Sequence, residues 1–92
     1  MALLSQSEIE AGLAGLSGWE RSGDAIAKRF GCGDFVGSVK FASGLVAPAE
    51  AMGHHPDLEI SWDTVTVTIS THSEGGLTAA DFELATKIDN LA

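Results

Sequence analysis

The chain has few of the residues that would mark a secreted, nucleic-acid-binding or membrane-associated protein. It has one cysteine, Cys32, so no disulfide can form within the chain. Five lysine and arginine residues stand against 13 aspartate and glutamate residues, which gives a formal net charge of −8. This charge repels phosphate backbones and anionic lipid, so we expect neither nucleic acid nor a membrane surface as a direct partner.

Targeting signals, linkers, repeats and low-complexity segments are also missing. The N-terminus MALLSQSEIE lacks the basic start and the long apolar run of a signal peptide, so a cytoplasmic location is expected. With 92 residues, 45% of them apolar, the chain fits one domain over residues 1–92. Cys32 lies between two glycines without a basic neighbour to activate its thiol, so we expect a loop cysteine with no chemical role.

The first third of the chain predicts a helix followed by a hairpin. Ser5 and Glu8 have the spacing of a capping box, and apolar residues at helical spacing then continue to about Leu16. Two short alternating segments flank residues 22–24, which predicts a pair of antiparallel strands joined by a tight turn.

A long second helix is predicted from the N-cap Asp34 to the C-terminal stop Gly53. Pro48 lies inside this helix and predicts a kink without a break, because proline cannot donate to the carbonyl four residues earlier, here that of Gly44. The apolar stripe expected to face the core comprises Phe35, Val39, Ala42, Val46 and Ala49, with Leu45 and Met52 beside it.

The last third predicts a second hairpin and a final helix. Alternation in LEISWDTVTVTIS places Leu58, Ile60 and Trp62 on one face of a third strand, with Asp63 and Thr64 connecting it to a fourth. Both tryptophans, at 19 and 62, are expected in the core. Thr78 and Asp81 form a second capping-box pattern ahead of a helix whose apolar stripe is Leu84, Ile88 and Leu91.

The order α-β-β-α-β-β-α predicts an α+β fold, a four-stranded antiparallel sheet with three helices packed on one face. The strand TVTVTIS carries neither lysine nor proline. If it lies at an edge of the sheet, it offers a pairing surface to a second copy of the chain, which favours a dimer or a dimer of dimers.

All three histidines of the chain are expected at one end of the second hairpin. His54 and His55 follow the stop at Gly53, and Pro56 holds the second of them in an extended backbone. Side chains of adjacent extended residues diverge, so the two imidazoles are expected to flank a pocket from two sides. His72 follows the fourth strand, whose end faces the start of the third in an antiparallel pair.

Two carboxylates are placed to orient these imidazoles. Glu50 lies one helical turn before His54, and Asp81 lies in the first turn of the last helix, just after His72. Each residue also has an ordinary explanation, since Glu50 fits a solvated helix surface and Asp81 fits a capping box. The clustering favours a functional site, with His54, His55, His72, Glu50 and Asp81 as the candidate catalytic residues.

The spacing of these residues closely resembles the signature of the pterin-4a-carbinolamine dehydratase family. Further similar segments are LSGW, DAIAKRF, FASGLVAPAE and ISTHSEGGLTAAD, so that the resemblance covers nearly the whole chain. Leu58 departs from the pattern, because many members have tryptophan there, and Pro48 interrupts the helix. The signature positions are Glu50, His54, His55, Pro56, Trp62, His72 and Asp81.

The resemblance implies a reaction as well as a fold. Members remove water from a 4a-hydroxytetrahydropterin by histidine acid–base catalysis, without a metal or another cofactor, and form dimers or tetramers through their sheets. Histidine suits such chemistry because its unperturbed pKa is about 6.5. The substrate-binding residues that the resemblance implies are His54, His55, Pro56, Thr71, His72, Ser73 and Glu74.

Two other classes of function remain open. Three histidines and two carboxylates could bind Zn²⁺ or Fe²⁺, although adjacent histidines seldom reach one metal ion. Members of the resembled family in animals also act as dimerisation partners of a transcription factor, and degenerate relatives act as assembly factors. The complete histidine set argues against a purely structural role.

Overall fold

The computed structural model describes residues 2–92, which form four strands, four α-helices and one short 3₁₀-helix. In chain order these elements are α1 (Gln6–Ala14), β1 (Glu20–Ser22), β2 (Ala25–Gly31), α2 (Phe35–Gly44), α3 (Val46–Met52), β3 (Asp57–Ile60), β4 (Thr64–Ile69), the 3₁₀-helix His72–Glu74 and α4 (Ala79–Leu91).

The predicted caps begin the helices. The Ser5 hydroxyl accepts from the Glu8 N–H at 3.2 Å, and the Ser5 N–H donates to the Glu8 carboxylate at 2.8 Å. These backbone and side-chain hydrogen bonds lower the pKa of Glu8, since they favour its charged form. Asp34 Oδ1 accepts from the Gly37 N–H at 2.7 Å and caps α2. α1 ends at Ala14, two residues before the predicted Leu16.

The long helix predicted from Asp34 to Gly53 is two helices that meet at Leu45. This residue keeps right-handed helical backbone angles, and its carbonyl accepts from the Ala49 N–H at 3.2 Å. Pro48 has no N–H to donate to the Gly44 carbonyl, so the helical series of hydrogen bonds to the carbonyl four residues earlier is interrupted at Gly44, where α2 ends. The prediction of a kinked but unbroken helix is therefore wrong, because the helix is divided into α2 and α3. Counted as one bent helix, α2 and α3 complete the three helices of the predicted fold class.

The sheet is antiparallel throughout, with the strand order β1-β2-β4-β3. The turn predicted at residues 22–24 is confirmed, since Gly23 and Asp24 join β1 to β2. The connection predicted at Asp63 and Thr64 is displaced, because residues 61–63 join β3 to β4 and Thr64 is the first residue of β4. β4 pairs with β2 on one side and with β3 on the other, so the suggestion that TVTVTIS lies at an edge is wrong. The edge strands are β1 and β3.

The core lies between the helices and one face of the sheet. In β4 the buried residues alternate with half-buried threonines, as the period of a strand covered on one face requires. Trp19 is buried, as predicted, but Trp62 is 66% exposed, which contradicts its expected core position. The reason is that β3 ends at Ile60, so Trp62 lies in the connection to β4.

The second-helix stripe is only partly buried. Ala42, Leu45 and Ala49 face the core, whereas Phe35, Val39 and Val46 are exposed, so the prediction that all of these residues face inward is wrong. The face of α2 that packs inward also carries Ser38, which is fully buried. None of the helices within residues 2–92 has the length and apolar character needed to cross a bilayer.

Candidate active site

The corner that carries the paired histidines is fixed by the end of α3. Gly53 adopts a left-handed conformation, φ 61° and ψ 30°, which glycine reaches without a Cβ penalty. The N–H of His54 then donates to the Ala49 carbonyl at 3.0 Å. His55 and Pro56 follow, and β3 begins at Asp57. The two imidazoles therefore project from a short turn that is tied to a helix on one side and to a strand on the other.

His54 points toward the start of α4. Its Nε2 atom lies 2.7 Å from Asp81 Oδ1, and the two side chains are 14% and 0% exposed. When Asp81 is ionised it can only accept, so the proton of this bond belongs to Nε2 and the Nδ1 atom is left as an acceptor. The contact thus selects one tautomer of His54.

Asp81 is held by more than the imidazole. Its Oδ2 atom accepts from the Thr71 hydroxyl at 2.9 Å and from the Thr78 N–H at 2.8 Å. The Thr71 and Thr78 hydroxyls are also 2.8 Å apart. The capping box is therefore present, and the same carboxylate orients His54. Three donors on one buried carboxylate compensate for its removal from water.

His55 diverges from His54 and pairs with the last turn of α3. Its Nε2 atom lies 2.5 Å from Glu50 Oε2, and both side chains are about two-thirds exposed, at 65% and 66%. The divergence expected for adjacent extended residues is therefore seen. Glu50 pairs with His55, and the partner of His54 is Asp81.

His72 opens the 3₁₀-helix that follows β4, and its nearest carboxylate is Asp57 rather than Asp81. The Nε2 atom of His72 lies 3.9 Å from Asp57 Oδ2, and both side chains are exposed. Asp57 was missed by the sequence analysis. The signal that could have found it is the antiparallel register, since Asp57 opposes Thr68 near the end of β4.

The five candidate catalytic residues lie at one end of the β3–β4 hairpin, His54 with Asp81 and His55 with Glu50 as separate pairs and His72 beside Asp57. His54 reaches Asp81, which bonds to Thr71; His72 follows Thr71 in the chain and reaches Asp57, two residues after His55. Of the other expected substrate-binding residues, Pro56 is half-buried, and Ser73 and Glu74 are exposed on the 3₁₀-helix. Thr71 differs, because its side chain is buried and bonded to Asp81.

This arrangement suits proton transfer. Three imidazoles, each facing its own carboxylate, provide groups that can donate or accept a proton near neutral pH. Within residues 2–92, no group of three or more histidine, cysteine, aspartate and glutamate side chains is arranged to hold a metal ion. The fold and the site together define an α+β protein that presents imidazole–carboxylate pairs at one end of its sheet.

The chain belongs to the pterin 4 alpha carbinolamine dehydratase family, whose model matches residues 2–91. A relative from Thermosynechococcus vestitus that carries the family's name is 53% identical over 89 residues, 97% of this chain and 94% of the relative. Another, from Roseiflexus castenholzii, is 47% identical over 90 residues, 98% of this chain and 97% of the relative.

Two solved structures are also similar. A transcriptional coactivator/pterin dehydratase from Brucella melitensis has a TM-score of 0.94 and 33% identity, and the match covers 99% of both chains. A pterin dehydratase-like protein described as a RuBisCO assembly factor in the alpha-carboxysome has a TM-score of 0.66 and 25% identity, with 80% of this chain and 86% of that chain covered. The predicted family and fold class are thus confirmed.

Proposed function

We propose that this protein dehydrates 4a-hydroxytetrahydrobiopterin to quinonoid dihydropterin and water, as a step of tetrahydrobiopterin recycling in the cytoplasm. Family membership supports a pterin dehydratase. The observation that carries the proposal is that each of the three histidines faces a carboxylate at one end of one hairpin. A purely structural protein has no need of three oriented imidazoles.

The reaction requires two proton movements and no electron acceptor. The bond between C4a and the hydroxyl oxygen breaks as an acid protonates the departing hydroxide. The proton on N5 passes to a base, and a double bond forms between C4a and N5, so one water leaves for each substrate. Positioned proton transfer of this kind accelerates reactions by roughly 10²- to 10⁴-fold.

The three histidines fit these duties differently. His54 is the most fixed, since it is nearly buried and bonded to a buried carboxylate. His55 and His72 are exposed and can approach a bound pterin from separate sides. Two proton donors on different sides of C4a would serve both stereoisomers of the substrate. In this proposal Glu50 and Asp81 hold the tautomers of their partners.

A flat pterin also needs contacts along its polar edge. We assign these to the turn that holds His54, His55 and Pro56 and to the exposed stretch from His72 through Ser73 to Glu74. Thr71 was expected to contact the substrate, but its buried hydroxyl suits a different role, that of holding Asp81 in place.

The direct test is dehydration of synthetic 4a-hydroxytetrahydrobiopterin by purified protein that has been dialysed against a strong chelator. We expect a rate well above that of buffer and no change when zinc or iron is added back. Activity that is lost with the chelator and restored by metal would favour a metal site. A rate equal to that of buffer, with and without metal, would contradict the dehydratase proposal.

A second candidate, a role in assembling another protein, is favoured by one observation. The similar structure of the RuBisCO assembly factor shares this fold. Such a role does not require the histidines. If the chain acts only in assembly, replacing His55 and His72 together with alanine leaves its binding to a protein partner intact, and the chelator-treated wild-type protein shows no dehydratase activity.

A further inference from the structure

A cavity of about 160 Å³ opens beside the candidate active site, between α2, α3 and β3. Its polar lining is Glu50 and His55, the exposed pair of the site. The rest of its lining is almost wholly apolar, with side chains from both helices and from the first half of β3, namely Ala42, Leu45, Val46, Ala49 and Leu58. The cavity is therefore polar at the catalytic pair and apolar beyond it.

The volume of the cavity suits a small substituent of the pterin and is too small for the pterin ring itself. An apolar cavity of about 150 Å³ can hold a benzene molecule, six carbon atoms. A pterin is larger than this, so the ring itself must lie outside, against the exposed imidazoles. A side chain of five or six heavy atoms would fill the cavity.

The chemistry of the substrate places such a side chain near His55. The substituent of a biopterin is carried by C6, which is bonded to N5, and N5 is bonded to C4a. A residue that exchanges protons at N5 or at the C4a hydroxyl is therefore close to the first atoms of the substituent. The cavity begins at His55, one of the two exposed histidines to which the proposed function assigns this exchange.

We infer that this cavity binds the C6 substituent of the pterin and selects one that ends in a methyl group. In a 1,2-dihydroxypropyl chain, the two hydroxyls lie next to the ring, within reach of Glu50 and His55, and the terminal methyl group reaches the apolar part. In a 1,2,3-trihydroxypropyl chain, a hydroxymethyl group takes the place of that methyl group. Where this group meets the apolar lining residues it finds no hydrogen-bonding side chain, so the water that those contacts displace from it is not replaced. This inference rests on the proposed function.

The test compares two substrates that differ by one oxygen atom. Initial rates are measured for 4a-hydroxytetrahydropterins with a 1,2-dihydroxypropyl or a 1,2,3-trihydroxypropyl group at C6. The 6-methyl compound serves as a reference that makes no demand on the cavity. We expect kcat/KM for the dihydroxypropyl substrate to exceed that for the trihydroxypropyl substrate by about tenfold, since an unpaired hydroxyl removed from water is disfavoured by roughly 5- to 150-fold.

Two variants add volume to the cavity from two different elements that line it. Leu58→Trp adds volume from β3 and Ala49→Leu adds volume from α3, so either one keeps the test informative if the other folds poorly. In both, the substituent is excluded from the cavity and the preference should fall to within about threefold. Leu91→Trp makes the same exchange on an exposed leucine of α4, which does not line the cavity, and should keep the full preference.

The outcomes separate this inference from the function on which it rests. Turnover of the 6-methyl reference with equal kcat/KM for the two longer substrates overturns the inference and leaves the dehydratase proposal standing. No turnover of any of the three overturns both. A preference that survives in both filled variants would contradict the inference, and a loss of self-association in Leu58→Trp by light scattering would then assign the cavity to contact between copies.

Discussion

At the scale of single residues, the three histidines differ in how firmly they are held. His54 is nearly buried and bonded to the fully buried Asp81, whereas His55 and His72 are exposed and pair with exposed carboxylates. Removing an exposed imidazole should affect the reaction and leave the stability of the fold nearly unchanged. Removing His54 also leaves a buried carboxylate with one donor fewer, which costs about 1–3 kcal/mol.

Replacement of each histidine should therefore separate activity from stability. We expect His54→Ala, His55→Ala and His72→Ala each to lower kcat substantially while circular dichroism still reports the folded protein. Only His54→Ala should also lower the melting temperature, by several degrees for a domain of this size. Wild-type turnover in all three variants would show that the site is assigned to the wrong residues.

Asp81 is a positioning residue in this account, and Asp81→Asn tests that role. The carboxylate accepts hydrogen bonds at both oxygens, whereas an amide has one acceptor oxygen and one donor nitrogen, so at least one of the three hydrogen bonds is lost. We expect a stability loss of about 1–3 kcal/mol and a drop in kcat of about tenfold. Nitrogen chemical shifts of the His54 ring should report a change of tautomer, and KM should change less than kcat.

Asp89→Asn is the matched control for Asp81→Asn. Asp89 lies about two helical turns after Asp81 in the same helix, and it accepts from the Trp19 indole N–H at 3.0 Å and from Lys28 Nζ at 3.0 Å. Its replacement should cost stability, about 1 kcal/mol, without changing kcat. If both variants lose stability and neither loses activity, Asp81 acts only as a cap.

At the scale of elements, much of the fold could be predicted from local chemistry. Ser5, Asp34 and Thr78 cap helices because their side-chain oxygens accept N–H groups that a helix start leaves free. Gly53 ends α3 because the chain needs a left-handed residue there. These signals lie within a few residues of one another, so the sequence alone contains them.

Contacts between distant elements could not be read in this way. Periodicity places Phe35, Val39 and Val46 on one side of a helix, but it does not say which side another element covers. The partners of the histidines depend on how α3, α4 and β3 meet. For this reason the candidate carboxylates were found, whereas their pairing, and the role of Asp57, were not.

α2 contains a buried hydroxyl that should reduce the stability of the protein. Ser38 is 0% exposed, and its Oγ atom has no hydrogen-bond partner among residues 2–92. Ser38→Ala removes a desolvated polar group at almost no cost in packing, so we expect a gain of about 1 kcal/mol, seen as a melting temperature about 4–8 °C higher. Ser43→Ala, on the exposed side of the same helix, should change it far less. A loss of stability in Ser38→Ala would mean that the hydroxyl has a partner in solution.

At the scale of the whole molecule, the strand order had the least support from the sequence. Alternation identifies β4 as a strand, but its position between β2 and β3 depends on pairing over more than 30 residues of chain. The expectation of a β4 edge failed here. Apart from Val46 and Leu58 of the cavity, most of the large apolar side chains left exposed lie on α2 and the region of β3, namely Phe35, Val36, Val39, Ile60 and Trp62.

This exposed surface predicts self-association. A chain of 92 residues buries little of its surface alone, and large apolar side chains grouped on elements in contact favour a partner. We expect light scattering at micromolar concentration to give at least twice the chain mass of 9.5 kDa. Phe35→Ser and Trp62→Ser should lower that mass, and Leu91→Ser should not. A monomer with full activity would show that the surface has another use.

The central claim is that the histidine cluster dehydrates a 4a-hydroxytetrahydropterin. The most direct measurement compares the dehydration rate of 4a-hydroxytetrahydrobiopterin with the wild-type protein and with a variant in which His54, His55 and His72 are all alanine, at equal concentration and after circular dichroism has confirmed folding. Acid–base catalysis by these residues predicts a wild-type rate roughly 10²- to 10⁴-fold higher than that of the variant. Equal rates for the two folded proteins would contradict the claim.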